Sequence, residues 1–213
     1  MPGHDRSIDD VSPPGEPPRE DAGAPEPQGR AAFDVDLLYQ EHARALFAWA
    51  SLRLGPELRL AIGPADLAQE VWLRVTRLAS RRDAAHGSPR AWLFAVAKLV
   101  LYEVQRDVRR RRAELPAGGS TQRLDALNEI PPEVTSLTQR LARDDAVRVF
   151  LARAAELDET DRKLLIHLGL EAMPQTEVAA RLEMGYEALA KRWQRLRARV
   201  RDWPIAREIA EDP

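Results

Sequence analysis

The stretch Gly185 to Trp203, GYEALAKRWQRLRARVRDW, carries Lys191, Arg192, Arg195, Arg197, Arg199 and Arg201 within a chain whose formal net charge is only -2. On a 3.6-residue period Leu189, Trp193, Leu196, Val200 and Trp203 fall at spacings of four, three, four and three, which draws one narrow apolar stripe along a helix. The basic side chains lie mostly off that stripe. Such a helix can pack on a small core and present its cations outward, either to water or to an anionic partner.

What precedes the stretch decides between those two uses. PQTEVAARL, a short turn EMG and the basic helix follow one another, with Ala179 and Leu182 on the inner side of the first segment and Gly185 in the turn. Two short helices joined by a tight turn, the second one amphipathic and basic, form a helix-turn-helix pattern. A second helix in a DNA major groove gives Arg and Lys two tasks, bonding phosphates and pairing with guanine edges. Upstream, a helix is expected from about Thr135 to Glu156, then another through DETDRKLLIHLGL.

The N-terminal half is also helical. One helix is expected from about Asp36 to Leu54, stopped by Gly55-Pro56, and a second opens after Gly63-Pro64 and runs through DLAQEVWLRVTRL. There Leu67, Val71, Val75 and Leu78 recur at helical spacing beside Trp72, leaving Asp66, Gln69, Glu70, Leu73 and Arg77 for the outer face. Ser88-Pro89, an N-cap followed by proline at the first helical position, starts a third helix, PRAWLFAVAKLVLYEVQRDVRRRR, which ends in four arginines. No alternation of Val, Ile and Thr bounded by turn residues occurs, so no sheet is expected.

These elements predict an all-α chain of two small helical domains, the C-terminal one a helix-turn-helix, joined by a flexible linker. Residues 1–30 hold seven acidic residues against three arginines, and seven of the sixteen prolines, so they read as a disordered acidic tail. Domains follow at 31–112 and 134–205, with Gly118-Gly119 and Pro131-Pro132 marking a linker over 113–133 and a short tail at 206–213. The absence of cysteine excludes disulfides, thiol catalysis and cysteine-ligated metals. No apolar run approaches the roughly 20 residues of a membrane span, and a soluble, cytoplasmic protein is expected. His4, His42, His86 and His167 are scattered, and no Gly-rich phosphate loop or nucleophile elbow is present, so the chain reads as no enzyme, with no catalytic, cofactor or metal residues.

In order and spacing, the Asp-Leu-x-Gln-Glu helix, the Arg-Ala-Trp-Leu helix with its basic end, and the terminal helix-turn-helix resemble the extracytoplasmic-function (ECF) group of bacterial sigma factors, over roughly residues 34–203. The resemblance implies a transcription-initiation subunit that binds core RNA polymerase and promoter DNA, with an anti-sigma factor as an optional third partner. It implies polymerase contacts at Asp66, Gln69, Glu70 and Leu73. Promoter melting would fall to the third helix, with Trp92, Phe94 and Tyr102 as the available aromatics, of which Trp92 lies on the apolar side and reads as core, and Lys98, Arg106, Arg109 and Arg110 as a backbone track. Upstream DNA would meet Glu187, Lys191, Gln194 and Arg195 in the groove, beside Ala190, with Arg192, Arg197 and Arg199 flanking them. Leu99, Glu103, Ala190, Glu183 and Gly185 depart from the family's usual Asn, Asp, basic residue, Gly and Ser. The competing readings are a helix-turn-helix regulator that never touches polymerase, and a helical protein-interaction adaptor.

Overall fold

The computed structural model describes residues 33–82, 87–114 and 140–206, and among these every regular element is a helix. The expected tail at 1–30, the linker at 113–133 from residue 115 onward, and the end of the chain after 206 lie outside the described residues. The chain from Phe33 onward clusters as one compact unit.

Helix α1, Val35–Arg53, begins where the Asp34 carboxylate accepts the Leu37 N–H at 2.9 Å, the N-cap geometry that satisfies an otherwise orphaned donor. Its end is closed by Arg59, which donates to the carbonyls of Leu54 (2.9 Å) and Ser51 (2.6 Å) from the far side of the single-turn helix α2, Pro56–Arg59. Helix α3, Pro64–Ala79, starts at the expected Gly63-Pro64, and α4, Pro89–Glu114, starts at the expected Ser88, whose hydroxyl accepts the Ala91 N–H at 3.2 Å. The three long helices pack on one another around Trp49, Leu67, Val71, Leu93 and Phe94, all fully buried.

In the C-terminal half the helix expected from Thr135 is interrupted. Asp144 accepts the N–H groups of Ala146 and Val147 and so starts a new helix, α5, Asp145–Ala155. Helix α6, Glu159–Leu164, is capped by Asp158 and runs into a π-helical segment, Leu165–Leu170, that periodicity does not foresee. Helices α7, Gln175–Arg181, and α8, Tyr186–Val200, complete the chain, and the stripe Leu189, Trp193, Leu196 and Val200 is buried as its spacing requires. Trp203 extends it by packing edge-on against Phe150 at 5.8 Å. Helix α1 also packs on α5 and on the π-helix, so the two halves share contacts.

Candidate nucleic-acid and polymerase interface

The α7–α8 turn has the hydrogen bonds of a Schellman motif: Met184 N–H bonds the Ala179 carbonyl at 3.0 Å and Glu183 N–H the Ala180 carbonyl at 3.3 Å. The residue between the helices that must turn left-handed is Glu183, at φ +54°. That geometry explains why glycine is usual there, since a side chain in the left-handed region costs about 1 kcal/mol or more. Gly185, at the N-cap of α8, offers no side-chain acceptor, so one cap bond is forgone.

From this turn α8 projects an exposed row. Glu187, Lys191, Gln194 and Arg195 are all exposed, as expected, and Lys191 and Arg195 line an open concavity with Tyr186 and Ala188 at the start of the helix. Arg197 is half-buried and Arg199 exposed. Arg192 is different. Its guanidinium bonds Asp161 at 2.6 Å and both oxygens of Asp158 at 2.6 and 2.7 Å, fastening α8 to the start of α6. Both acids hold Arg192 firmly protonated, the bond to Asp161 foremost, and the Asp158 carboxyl is held below its ordinary range by the Asp161 N–H first and the Arg192 charge after it. Arg192 is therefore committed within the fold rather than open to phosphate as the sequence suggests. Arg199 stands 3.8 Å from the same Asp161 and remains half in solvent.

On α4 the exposed side runs Leu99, Tyr102, Arg106, Arg109 and Arg110, with Lys98 half-buried beside it. Tyr102, 53% exposed, has an accessible aromatic face. Phe94 is fully buried against Trp49, with ring centroids 6.1 Å apart, and Trp92 packs edge-on to Phe33 at 5.1 Å. Neither can stack on a base: Trp92 is core, as its place on the apolar side indicates, and Phe94 is corrected from a candidate stacking residue to a core one. Glu103, where an Asp is usual, holds Arg74 of α3 in a two-pronged pair at 2.8 and 3.3 Å, a reach suited to the longer side chain.

Of the five residues expected on the outer face of α3, Arg77 is exposed, and Glu70 and Leu73 are half-exposed. Asp66 is half-exposed too, but its carboxylate also accepts the Gly63 N–H at 3.3 Å and caps its own helix. Gln69 is buried, at 3% exposure. It lies one turn before Trp72, whose ring meets Tyr39 at 4.9 Å, and this aromatic pair widens the buried stripe beyond what the aliphatic periodicity indicates.

The region from Leu38 in α1 to Ala113 at the end of α4 matches the family described as Sigma-70 region 2, over residues 38–113. These residues are a sigma-70 region 2 domain. The match falls on the two segments that carry the resemblance, DLAQEVWLRVTRL and PRAWLFAVAKLVLYEVQRDVRRRR, and the domain supports a sigma-factor role in transcription initiation, with core RNA polymerase and promoter DNA as the partners it implies. Sigma factors are not enzymes. Neither a search of curated proteins nor one of solved structures returned a significant match. No helix among the described residues is long and apolar enough to cross a membrane.

One group of residues escaped sequence reasoning altogether. Glu171, its side chain fully buried, accepts the Trp49 indole N–H at 2.8 Å and meets His167 Nδ1 at 2.9 Å, with Arg53 Nε 3.7 Å away. Burial alone would raise this carboxyl, yet the bonds from His167 and Trp49 and the Arg53 charge hold it below the ordinary glutamate value of 4.5. Beside it Arg90, also buried, donates to the carbonyls of Gly169 and Leu170 at the end of the π-helix. The only sequence signal was a lone acid closing the apolar run LLIHLGLE, with a His four residues before it.

Proposed function

We propose that this chain is a sigma factor of the ECF group, acting in the cytoplasm to bring core RNA polymerase to specific promoters without catalysis of its own. In this reading residues 31–112 bind polymerase through Asp66, Glu70 and Leu73 on α3, and residues 134–205 read an upstream promoter element through α8. The observation that carries it is the region 2 domain at 38–113 joined, in one chain, to a basic helix-turn-helix.

The chemistry of each surface supports its part. A helix N-terminus entering the major groove places its first turns against base edges. Lys191 and Arg195 suit guanine N7 and O6, and the Glu187 carboxylate can accept from a cytosine amino group but would be repelled by phosphate. Arg197 and Arg199 flank that row, where cations can meet the phosphate backbone beside the groove. Along α4, Tyr102 offers a stacking surface and Arg106, Arg109 and Arg110 a cationic track for a displaced strand, with Lys98 at its edge. Leu99 cannot donate or accept a hydrogen bond, so base selection there passes to shape and stacking. Gln69, being buried, supports α3 from within.

Co-elution of the full chain with bacterial core polymerase on size exclusion is the test. A stoichiometric complex that Glu70→Lys weakens, with its melting curve unchanged, supports the reading. A chain that binds promoter DNA but never core polymerase would make it a free-standing helix-turn-helix regulator.

A further inference from the structure

The row of long polar side chains on α8 has a gap in it. Ala188, Lys191 and Arg195 follow at spacings of three and four, so they share one face of the helix, and all three are exposed. Between the two cationic side chains Ala188 contributes only a methyl group. These residues line the concavity at the start of the helix together with Gly185, Glu187 and Tyr186, whose ring is 54% exposed at its N-terminal end. Leu189 and Trp193 are buried, which fixes the roll of α8 and turns this notch away from the core.

Two contacts keep the notch open. Helical side chains lean toward the N-terminus, so the surface over Ala188 falls within reach of the residue one turn on, Arg192. That guanidinium is drawn aside to Asp158 and Asp161 instead, at 2.6 and 2.7 Å. Arg195 lies back along its own helix, its Nε donating to the Lys191 carbonyl at 3.3 Å, and so forms a wall of the notch rather than a cover.

The floor is therefore apolar, and the walls are aliphatic stems that end in cations. In the major groove one apolar group is on offer among the four bases, the C5-methyl of thymine, and the O4 beside it accepts a hydrogen bond. A methyl on the Ala188 floor brings that acceptor toward the cationic walls. Cytosine in the same place leaves the notch unfilled and turns its N4 amino donor toward two further donors, a mismatch that excludes it.

We propose that Ala188 and Tyr186 form a thymine-methyl subsite, through which α8 selects one A·T pair by apolar contact beside the guanine contacts open to Lys191 and Arg195. The subsite rests on the DNA-reading role given to α8 above. It makes a residue without a hydrogen-bonding side chain a determinant of specificity, and it gives the Arg192 fork a second consequence, that of keeping the subsite clear.

The test uses holoenzyme assembled from core polymerase and the full chain, with the upstream duplex that it selects from a random library. Each thymine of that duplex is replaced in turn by deoxyuridine, which removes the methyl group and nothing else. One position should lose about fourfold in affinity, the value of one buried methyl group. Ala188→Gln, at an exposed helical position where a longer side chain fills the notch without touching the core, should bind the thymine and uridine duplexes alike with its melting curve unchanged. Tyr186→Ala should shrink the same difference. A selected duplex that contains no thymine, or that tolerates uridine at every position, would overturn the subsite while leaving α8 as the reading helix. So would a sensitive thymine whose sensitivity survives Ala188→Gln. Failure to select any upstream sequence would instead remove the DNA-reading role of α8, and the subsite with it.

Discussion

Removing the Arg192 side chain separates a structural arginine from a DNA-binding one. In Arg192→Ala the guanidinium that bridges Asp158 and Asp161 is lost, leaving Asp161, whose side chain is only 14% exposed, with Arg199 at 3.8 Å as its remaining cation. Exposed ion pairs contribute about 0.2–1 kcal/mol, and this one lies at the upper end because one planar fork serves two acids while only a third of it meets solvent. A loss of about 1 kcal/mol corresponds to roughly 3 °C in Tm for a cooperative unit of this size. Thermal melts at low and high salt should show that gap, narrowing as salt screens it. In DNA binding, the slope of log affinity against log salt should stay that of the unaltered chain, since no phosphate contact is removed; Arg199→Ala should lower it by about 0.9. A variant of unaltered stability with a reduced slope would show that Arg192 leaves its acids for phosphate and would refute the assignment.

Other expectations follow from single positions. Glu183→Gly should raise stability by about 0.5–1 kcal/mol in urea denaturation, by relieving the left-handed backbone at φ +54°; a loss would mean that the Glu183 side chain makes a compensating contact. Gln69→Lys should lower stability by about 2 kcal/mol or more by burying an unpaired charge, whereas Glu70→Lys should change it by about half a kcal/mol and act on polymerase binding instead. Because the folded Glu171 carboxyl titrates below its ordinary value of 4.5, its stabilising contribution is complete above that value and fades as pH falls through the lower, folded one. The stability gap between the unaltered chain and Glu171→Gln should therefore close as pH falls through that range, and a gap that widened there would reverse the sign of the argument.

Local signals in the sequence reached local structure. The four-three-four stripe of α8, the Ser88-Pro89 and Gly63-Pro64 helix starts and the turn before Tyr186 all stand where side-chain spacing and capping chemistry put them. The exposed row of α8 was legible for the same reason, since the side of a helix that faces away from its apolar stripe follows from period alone. Distant partners were not. Nothing near Arg192 in the sequence points to Asp158, 34 positions away, nor near Trp49 to Glu171, 122 positions away. Gln69 was misplaced because a helical wheel drawn on aliphatic residues ignores the breadth of Trp72. The break at Asp144 was missed because one aspartate inside a helical run reads equally well as a solvated residue or as a cap, and only the bonds to Ala146 and Val147 distinguish them.

The central claim is tested most directly by transcription in vitro: core polymerase with and without the full chain, on a library of bacterial upstream fragments, with RNA 5′ ends mapped. The account predicts discrete start sites that appear only when the chain is present, share a common upstream sequence, and lose that selectivity with Arg195→Ala. Initiation indistinguishable from core polymerase alone, with the chain demonstrably bound to the same fragments, would contradict it.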